Sequence, residues 1–130
     1  MTRILIVEDQ ASDLSKAATV AEALGIREVE ACNSITRAML SLEKCACGEK
    51  RLPDGIILDL DLGVESGYEV LRYWRSTPAL SRVPVLVWSV VEEQREVCEL
   101  FHVNSFVSKW EGVGALRKAL AQLLPSSLPS

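Results

Sequence analysis

Short, wholly apolar runs alternate along this chain with stretches whose apolar residues recur every three or four positions. The runs read as strands buried on both faces, and the stretches as amphipathic helices. Arg3–Val7 is the first strand, carrying Ile4, Leu5, Ile6 and Val7 in unbroken succession. A helix follows from about Ala11, with Leu14, Ala17, Ala18, Ala21 and Leu24 on one face and Gly25 as its terminator. A weaker strand is predicted over 27–31. Asn33 or Ser34 can cap the next helix, whose buried stripe is Ile35, Ala38, Met39 and Leu42.

The segment 45–52 is polar, contains Gly48 and runs into Pro53, so it reads as a loop. The third strand, 55–59, is apolar until it stops at Asp59. Ser66 is the expected cap of a helix carrying Val70, Leu71 and Trp74, which must end before Pro78. A fourth strand is predicted over 83–88. The helix after it has only Val97, Leu100 and Phe101 as a thin apolar stripe among Glu92, Glu93, Arg95 and Glu96. Ser105–Ser108 is the fifth strand, and the last helix buries Val113, Leu116, Leu120 and Leu123. Five strand–helix units in succession imply one α/β domain over 1–124, with a parallel sheet, right-handed crossovers and helices on both faces. Residues 125–130 are expected to form a flexible tail.

Composition narrows the function classes. A chain of 130 residues can bury one adequate core. Its 14 Lys and Arg against 18 Asp and Glu give a net charge of −4, which argues against direct nucleic-acid binding. No apolar run reaches the ~18 residues of a membrane span, and the start is too short for a signal peptide, so a cytoplasmic protein is expected. Cys32, Cys45, Cys47 and Cys98 are irregularly spaced and the single histidine, His102, lies far from the Cys45/Cys47 pair. Reduced thiols fit this pattern better than a zinc site, which needs four ligands.

The chemistry lies at the strand ends. Glu8 and Asp9 close the first strand and Asp59 the third, gathering acids where open α/β sheets place their ligand crevice. Two carboxylates ~4 Å apart repel by ~4 kcal/mol at an effective dielectric near 20, a penalty that a hard cation such as Mg²⁺ would largely remove. The fourth strand ends at Ser89 and the fifth leads to Lys109. Acids, a hydroxyl and an amine together suit phosphoryl chemistry: acids for the metal, a carboxylate as nucleophile, and the other two for oxygen charge.

This arrangement resembles the receiver (CheY-like) domain of two-component response regulators over essentially the whole chain. The most specific stretch is Asp59-Leu60-Asp61-Leu62-Gly63-Val64-Glu65-Ser66-Gly67. The resemblance implies a flavodoxin-like (βα)5 fold with strand order 2-1-3-4-5. It implies that Asp59 is the phosphoacceptor, served by a sensor histidine kinase or phosphotransfer protein. Glu8, Asp9, Asp59 and the backbone carbonyl of Asp61 would hold Mg²⁺ (or Mn²⁺). Ser89 and Lys109 would stabilise the phosphoryl group, and Phe106 would be the switch aromatic. Phosphorylation would then reshape the surface of the fourth helix, fifth strand and fifth helix for a downstream protein target, making the domain a phosphoacceptor rather than a turnover enzyme.

Four positions depart from the family pattern. Gly63 stands where proline is common, which should loosen that loop. Trp110 replaces the proline after the lysine, and a cis bond to a non-proline costs ~2.5–4 kcal/mol, so a trans peptide is expected. Val90 replaces a small residue and narrows access to Asp59. Phe106 lacks the hydroxyl of the commoner tyrosine, leaving a switch that works by packing. Together they predict slower gain or loss of the phosphoryl group than in a typical receiver.

Two rival readings remain. Ile57-Leu58-Asp59-Leu60-Asp61 also contains the Asp-x-Asp of haloacid-dehalogenase-type phosphatases, but that motif belongs near the chain's start and needs a cap. A degenerate receiver would work as a phosphorylation-independent interaction module. No effector domain is expected after the last helix, which fits a stand-alone regulator or the receiver portion of a longer protein; the Pro/Ser-rich end leads to the expectation of a natural terminus.

Overall fold

Five apolar runs lie side by side as parallel strands: β1 (Arg3–Val7), β2 (Glu28–Cys32), β3 (Gly55–Leu58), β4 (Val85–Ser89) and β5 (Ser105–Ser108). The computed structural model describes residues 2–62 and 65–124. The sheet order is β2-β1-β3-β4-β5, as the family resemblance implies. The connections are α1 (Ala11–Ala23), α2 (Ile35–Ala46), α3 (Tyr68–Ser76) and α4 (Arg95–Leu100), and α5 (Val113–Leu123) closes the fold.

Alternation along each strand divides the core in two, because successive side chains point to opposite faces. Leu5, Val7, Ile56, Leu58, Val85 and Val87 pack with the buried stripes of α2 and α3 and with Cys98 of α4. Ile4, Ile6, Ile57, Leu86, Trp88 and Val107 pack with α1 and α5. The central strands are therefore apolar throughout, and their first polar residues appear only where they leave the sheet. That is how the sequence delivers carboxylates to a single edge.

Several boundaries differ from the periodicity reading, each for a local reason. The second strand lies one residue later than predicted. The fourth starts at Val85 rather than 83, because the Val83 N–H closes a turn onto the Leu80 carbonyl and Pro84 has no N–H to give. Cys45 and Ala46 belong to α2 rather than to a loop: Cys45 extends the buried stripe of Ala38 and Leu42. Gly48, at φ +86°, comes just after the end of this helix. Ser34 caps α2, accepting from the Arg37 N–H at 3.2 Å. Ser66 does not hold the cap position of α3, which falls on Gly67; its Oγ accepts from the Tyr68 N–H instead.

The fourth helix is the most altered. Glu92–Gln94 form a 3₁₀ turn and only six residues of α-helix follow; Cys98 alone is buried there, while Val97 and Leu100 of the expected stripe are exposed. A 3₁₀ turn over Lys109–Glu111, unforeseen from periodicity, is closed by a capping box in which the side chain of each of Ser108 and Glu111 accepts from the backbone N–H of the other. A short antiparallel ladder pairs Asp61–Leu62 with Glu65–Ser66. Among the described residues there is no cis peptide, so Lys109-Trp110 is trans, as its cost requires. None of the described helices is long and apolar enough to cross a membrane. Cys32, Cys45 and Cys98 are buried free thiols, and burial pushes Cys32 and Cys98 up to about 11, which makes them poor nucleophiles. The tail and Gly63 lie outside the described residues.

Candidate functional site

Register builds the site. Val7 pairs with Leu58, so the next residues, Glu8 and Asp59, emerge side by side. Their backbones stay anchored: the Glu8 N–H donates to the Cys32 carbonyl and the Asp59 N–H to the Val7 carbonyl, both at 3.0 Å. Ser89 pairs with Ser108, which leaves Lys109 one residue beyond the sheet on the same edge. Glu8 is 1% exposed and Asp59 4%, unusual burial for carboxylates.

Lys109 joins them. Its Nζ donates to Glu8 Oε1 at 2.5 Å, to Asp13 Oδ2 at 2.9 Å and to Asp59 Oδ2 at 3.2 Å. The ammonium also lies 4.9 Å from the centre of the Trp88 ring; the indole it packs on is thus Trp88, not its neighbour Trp110. The other carboxylate oxygens of Glu8 and Asp59 bond to backbone: Glu8 Oε2 accepts from Gln10 N–H at 3.1 Å, where α1 begins, and Asp59 Oδ1 from Asp61 N–H at 3.0 Å.

Charge does not balance within this group. The carboxylates of Glu8, Asp13 and Asp59 converge on the Lys109 ammonium and Asp9 lies beside them, while a further cation, Lys16, reaches only the outer oxygen of Asp13 at 3.8 Å. Burial, reinforced by the charge of Asp59 and opposed by the Lys109 hydrogen bond, pushes the Glu8 carboxyl up to about 7. Burial works against the Lys109 charge too, but its bonds to Glu8 and Asp13 and the charge of Asp59 outweigh this and hold the ammonium above the usual lysine range. The site therefore favours an added proton or cation. Glu8, Asp9 and Asp59 each offer one oxygen, all within 4.8 Å of one another, a donor set suited to a hard divalent ion. The Asp61 side chain is exposed and outside this group; its backbone touches Asp59 through its N–H.

Ser89 is fully buried at the end of β4 and makes no hydrogen bond to Asp59. Its Oγ donates to Gln94 Oε1 at 2.8 Å and accepts from the Val91 N–H at 3.2 Å. Phe106 is half-buried, with the Arg95 guanidinium 4.6 Å from its ring centre. Trp110 is 81% exposed, and its Nε1 donates to the Val90 carbonyl at 3.2 Å. Beside this bond lies a cavity of about 300 Å³ lined by Asp13, Trp88, Val90, Lys109 and Trp110.

Sequence reasoning had missed Asp13 and Gln94. Asp13 could have been found: it lies four residues after Asp9 in the first turn of α1, on the edge already identified. Gln94 carried no comparable signal, since its contact depends on how the 3₁₀ turn folds back over β4.

Acids and a buried lysine at the carboxyl edge of a sheet in this order belong to a known class. The chain is a member of the response regulator receiver domain family, which residues 4–121 match. These domains are signalling modules of two-component systems rather than conventional enzymes. The KDP operon transcriptional regulatory protein KdpE of Escherichia coli (strain K12) is 34% identical over 122 residues, 92% of this chain. The chain spans about half (50%) of that relative's length. The phosphorylated cyanobacterial phytochrome response regulator RcpA superposes with a TM-score of 0.81 at 29% identity, covering 99% of both chains. The Mn(2+)-bound form of the response regulator Rcp1 gives 0.80 at 27% identity, covering 100% of both.

Proposed function

We propose that Asp59 accepts a phosphoryl group from a sensor histidine kinase or phosphotransfer protein in a Mg²⁺- or Mn²⁺-dependent step. One observation carries this reading: Lys109, reaching from the far end of the chain, converges on Asp59 and Glu8 in a cluster with more carboxylates than cations. A structural ion pair would be matched one to one, because unmatched buried charge is destabilising. Two similar response regulators support the same direction, RcpA in its phosphorylated form and Rcp1 in its Mn(2+)-bound form.

In this mechanism an Asp59 carboxylate oxygen attacks phosphorus in line. The P–N bond of a phosphohistidine, or the P–O bond of acetyl phosphate, breaks, and its electron pair leaves with the imidazole or the acetate. Lys109, already within 3.2 Å of Asp59, pairs with a phosphoryl oxygen. A divalent ion held by Glu8, Asp9, Asp59 and the Asp61 carbonyl would neutralise phosphoryl charge. Ser89 turns to donate its hydroxyl hydrogen to another phosphoryl oxygen, and Phe106 moves into the space it leaves. The surface of α4, β5 and α5 thereby changes for a protein target, in the cytoplasm, with neither nucleic acid nor membrane as direct partner.

Mass spectrometry after incubation with acetyl phosphate and Mg²⁺ tests this reading. One added phosphoryl group is expected on the wild-type chain, none on Asp59→Asn and none with chelator. Equal labelling of wild type and Asp59→Asn would refute it. Complete lack of labelling would favour the phosphorylation-independent interaction module.

A further inference from the structure

The buried hydroxyl of Ser89 has one hydrogen, and that hydrogen is already engaged. Its Oγ accepts from the Val91 N–H at 3.2 Å, which directs its own hydrogen to Gln94 Oε1 at 2.8 Å. A hydroxyl can donate to only one acceptor at full strength. Any phosphoryl oxygen on Asp59 must therefore compete with Gln94 for the same hydrogen. The next residue, Arg95, lies over the ring of Phe106 at 4.6 Å, so adjacent residues of one short segment touch both groups that phosphorylation is proposed to move.

We infer that Gln94 is a positioning residue that latches Ser89 in the resting orientation and so lowers the affinity of the Asp59 site for a phosphoryl group. The inference rests on the proposed role of Asp59 and Ser89. The latch acts by differential stabilisation: it bonds Ser89 in the resting arrangement and loses that bond when the serine turns to the phosphoryl group. Gln94 is only half-buried and lies outside the carboxylate cluster, so it can be replaced without disturbing the acids. A neutral hydrogen bond of this kind should shift the equilibrium about three- to tenfold.

The test is a titration of the full chain with beryllofluoride, a phosphoryl mimic, in Mg²⁺, read by tryptophan fluorescence. Gln94→Met, which keeps the length but removes the acceptor, should bind about three- to tenfold more tightly than wild type. Gln94→Glu keeps an acceptor and should bind no more tightly than wild type. In a Ser89→Ala background, adding Gln94→Met should change nothing. If wild type binds through Asp59 and Gln94→Met gives no gain, the latch is refuted while the phosphoacceptor reading stands. An equal gain in the Ser89→Ala background also refutes it, because the effect would not pass through the serine. If wild type and Asp59→Asn respond identically, the phosphoacceptor reading fails and the latch fails with it.

Discussion

Lys109 Nζ lies 3.2 Å from Asp59 Oδ2, across 50 residues of sequence, and is itself almost fully buried. That contact makes the lysine as much a structural counter-ion as a chemical one. Lys109→Met would leave Glu8, Asp13 and Asp59 facing one another without it. Stripping a buried pair of one partner costs roughly 3–5 kcal/mol, and uptake of a proton by Glu8 should hold the cost to about 3 kcal/mol at pH 7.5. Urea denaturation of metal-free protein is the measurement. The loss should shrink at pH 5, and equal stability of variant and wild type at pH 7.5 would contradict the role.

Glu8 gives the metal-free protein a pH dependence of definite sign. Its folded pKa, about 7, lies above its ordinary value of 4.5, so the folded state binds the proton more tightly than the unfolded chain. The associated stability is fully present below pH 4.5 and is lost as pH rises through 7. Lys109 titrates above this window, and Glu30, whose carboxyl is lowered, titrates below it. The Glu8→Gln variant lacks this titration. Its stability relative to wild type should rise between pH 5 and pH 7.5, by on the order of 2–3 kcal/mol. A difference that stays constant with pH would show that Glu8 does not titrate in that range.

The two outcomes above depend on residues that the sequence placed at one sheet edge, and the reason they were legible is the sheet itself. Buried parallel strands are apolar without interruption, so Glu8, Asp59 and Ser89 stand out as the first polar residues after their runs, and Lys109 follows directly on the last residue of the fifth strand. The fold follows from the same alternation. What stayed hidden depends on short-range geometry without a period. The 3₁₀ turns at 92–94 and 109–111 have no hydrophobic repeat, so neither the Ser89–Gln94 bond nor the turn that holds Lys109 in place could be read beforehand. Cys45 was lost for the opposite reason: polar neighbours masked a buried stripe that continued one turn further.

Gly67 fixes the backbone beneath Asp59. A Cβ there would meet the Asp59 carbonyl oxygen and Leu60 Cα, both at 2.8 Å, closer than real Cβ contacts come. Its N–H also donates to the Leu60 carbonyl at 3.0 Å, so the two segments are held together. Gly67→Ala must push them apart, at a cost of roughly 1–3 kcal/mol, the usual range for overpacking. Because the displaced atoms include the backbone of Asp59 itself, Mg²⁺ affinity should fall along with thermal stability. Stability at the wild-type level would mean that the chain absorbs a methyl group here without moving.

The predicted slowness of phosphoryl gain or loss has a candidate cause in the bond from Trp110 Nε1 to the Val90 carbonyl. It ties the connection after β4 to the turn after β5, beside the cavity that Lys109 and Asp13 help to line. Trp110 is so exposed that its ring contributes little to the core, and a gating effect can be separated from a folding effect. Trp110→Phe keeps a ring but removes the N–H, and Val90→Ala opens the same passage without touching the bond. Each should raise the rate of Asp59 labelling by acetyl phosphate in Mg²⁺. For Trp110→Phe the gain should be about three- to tenfold, the amount one neutral hydrogen bond can add to a barrier. Labelling time courses for the two variants that overlay wild type would leave the substitutions at 90 and 110 without a kinetic role.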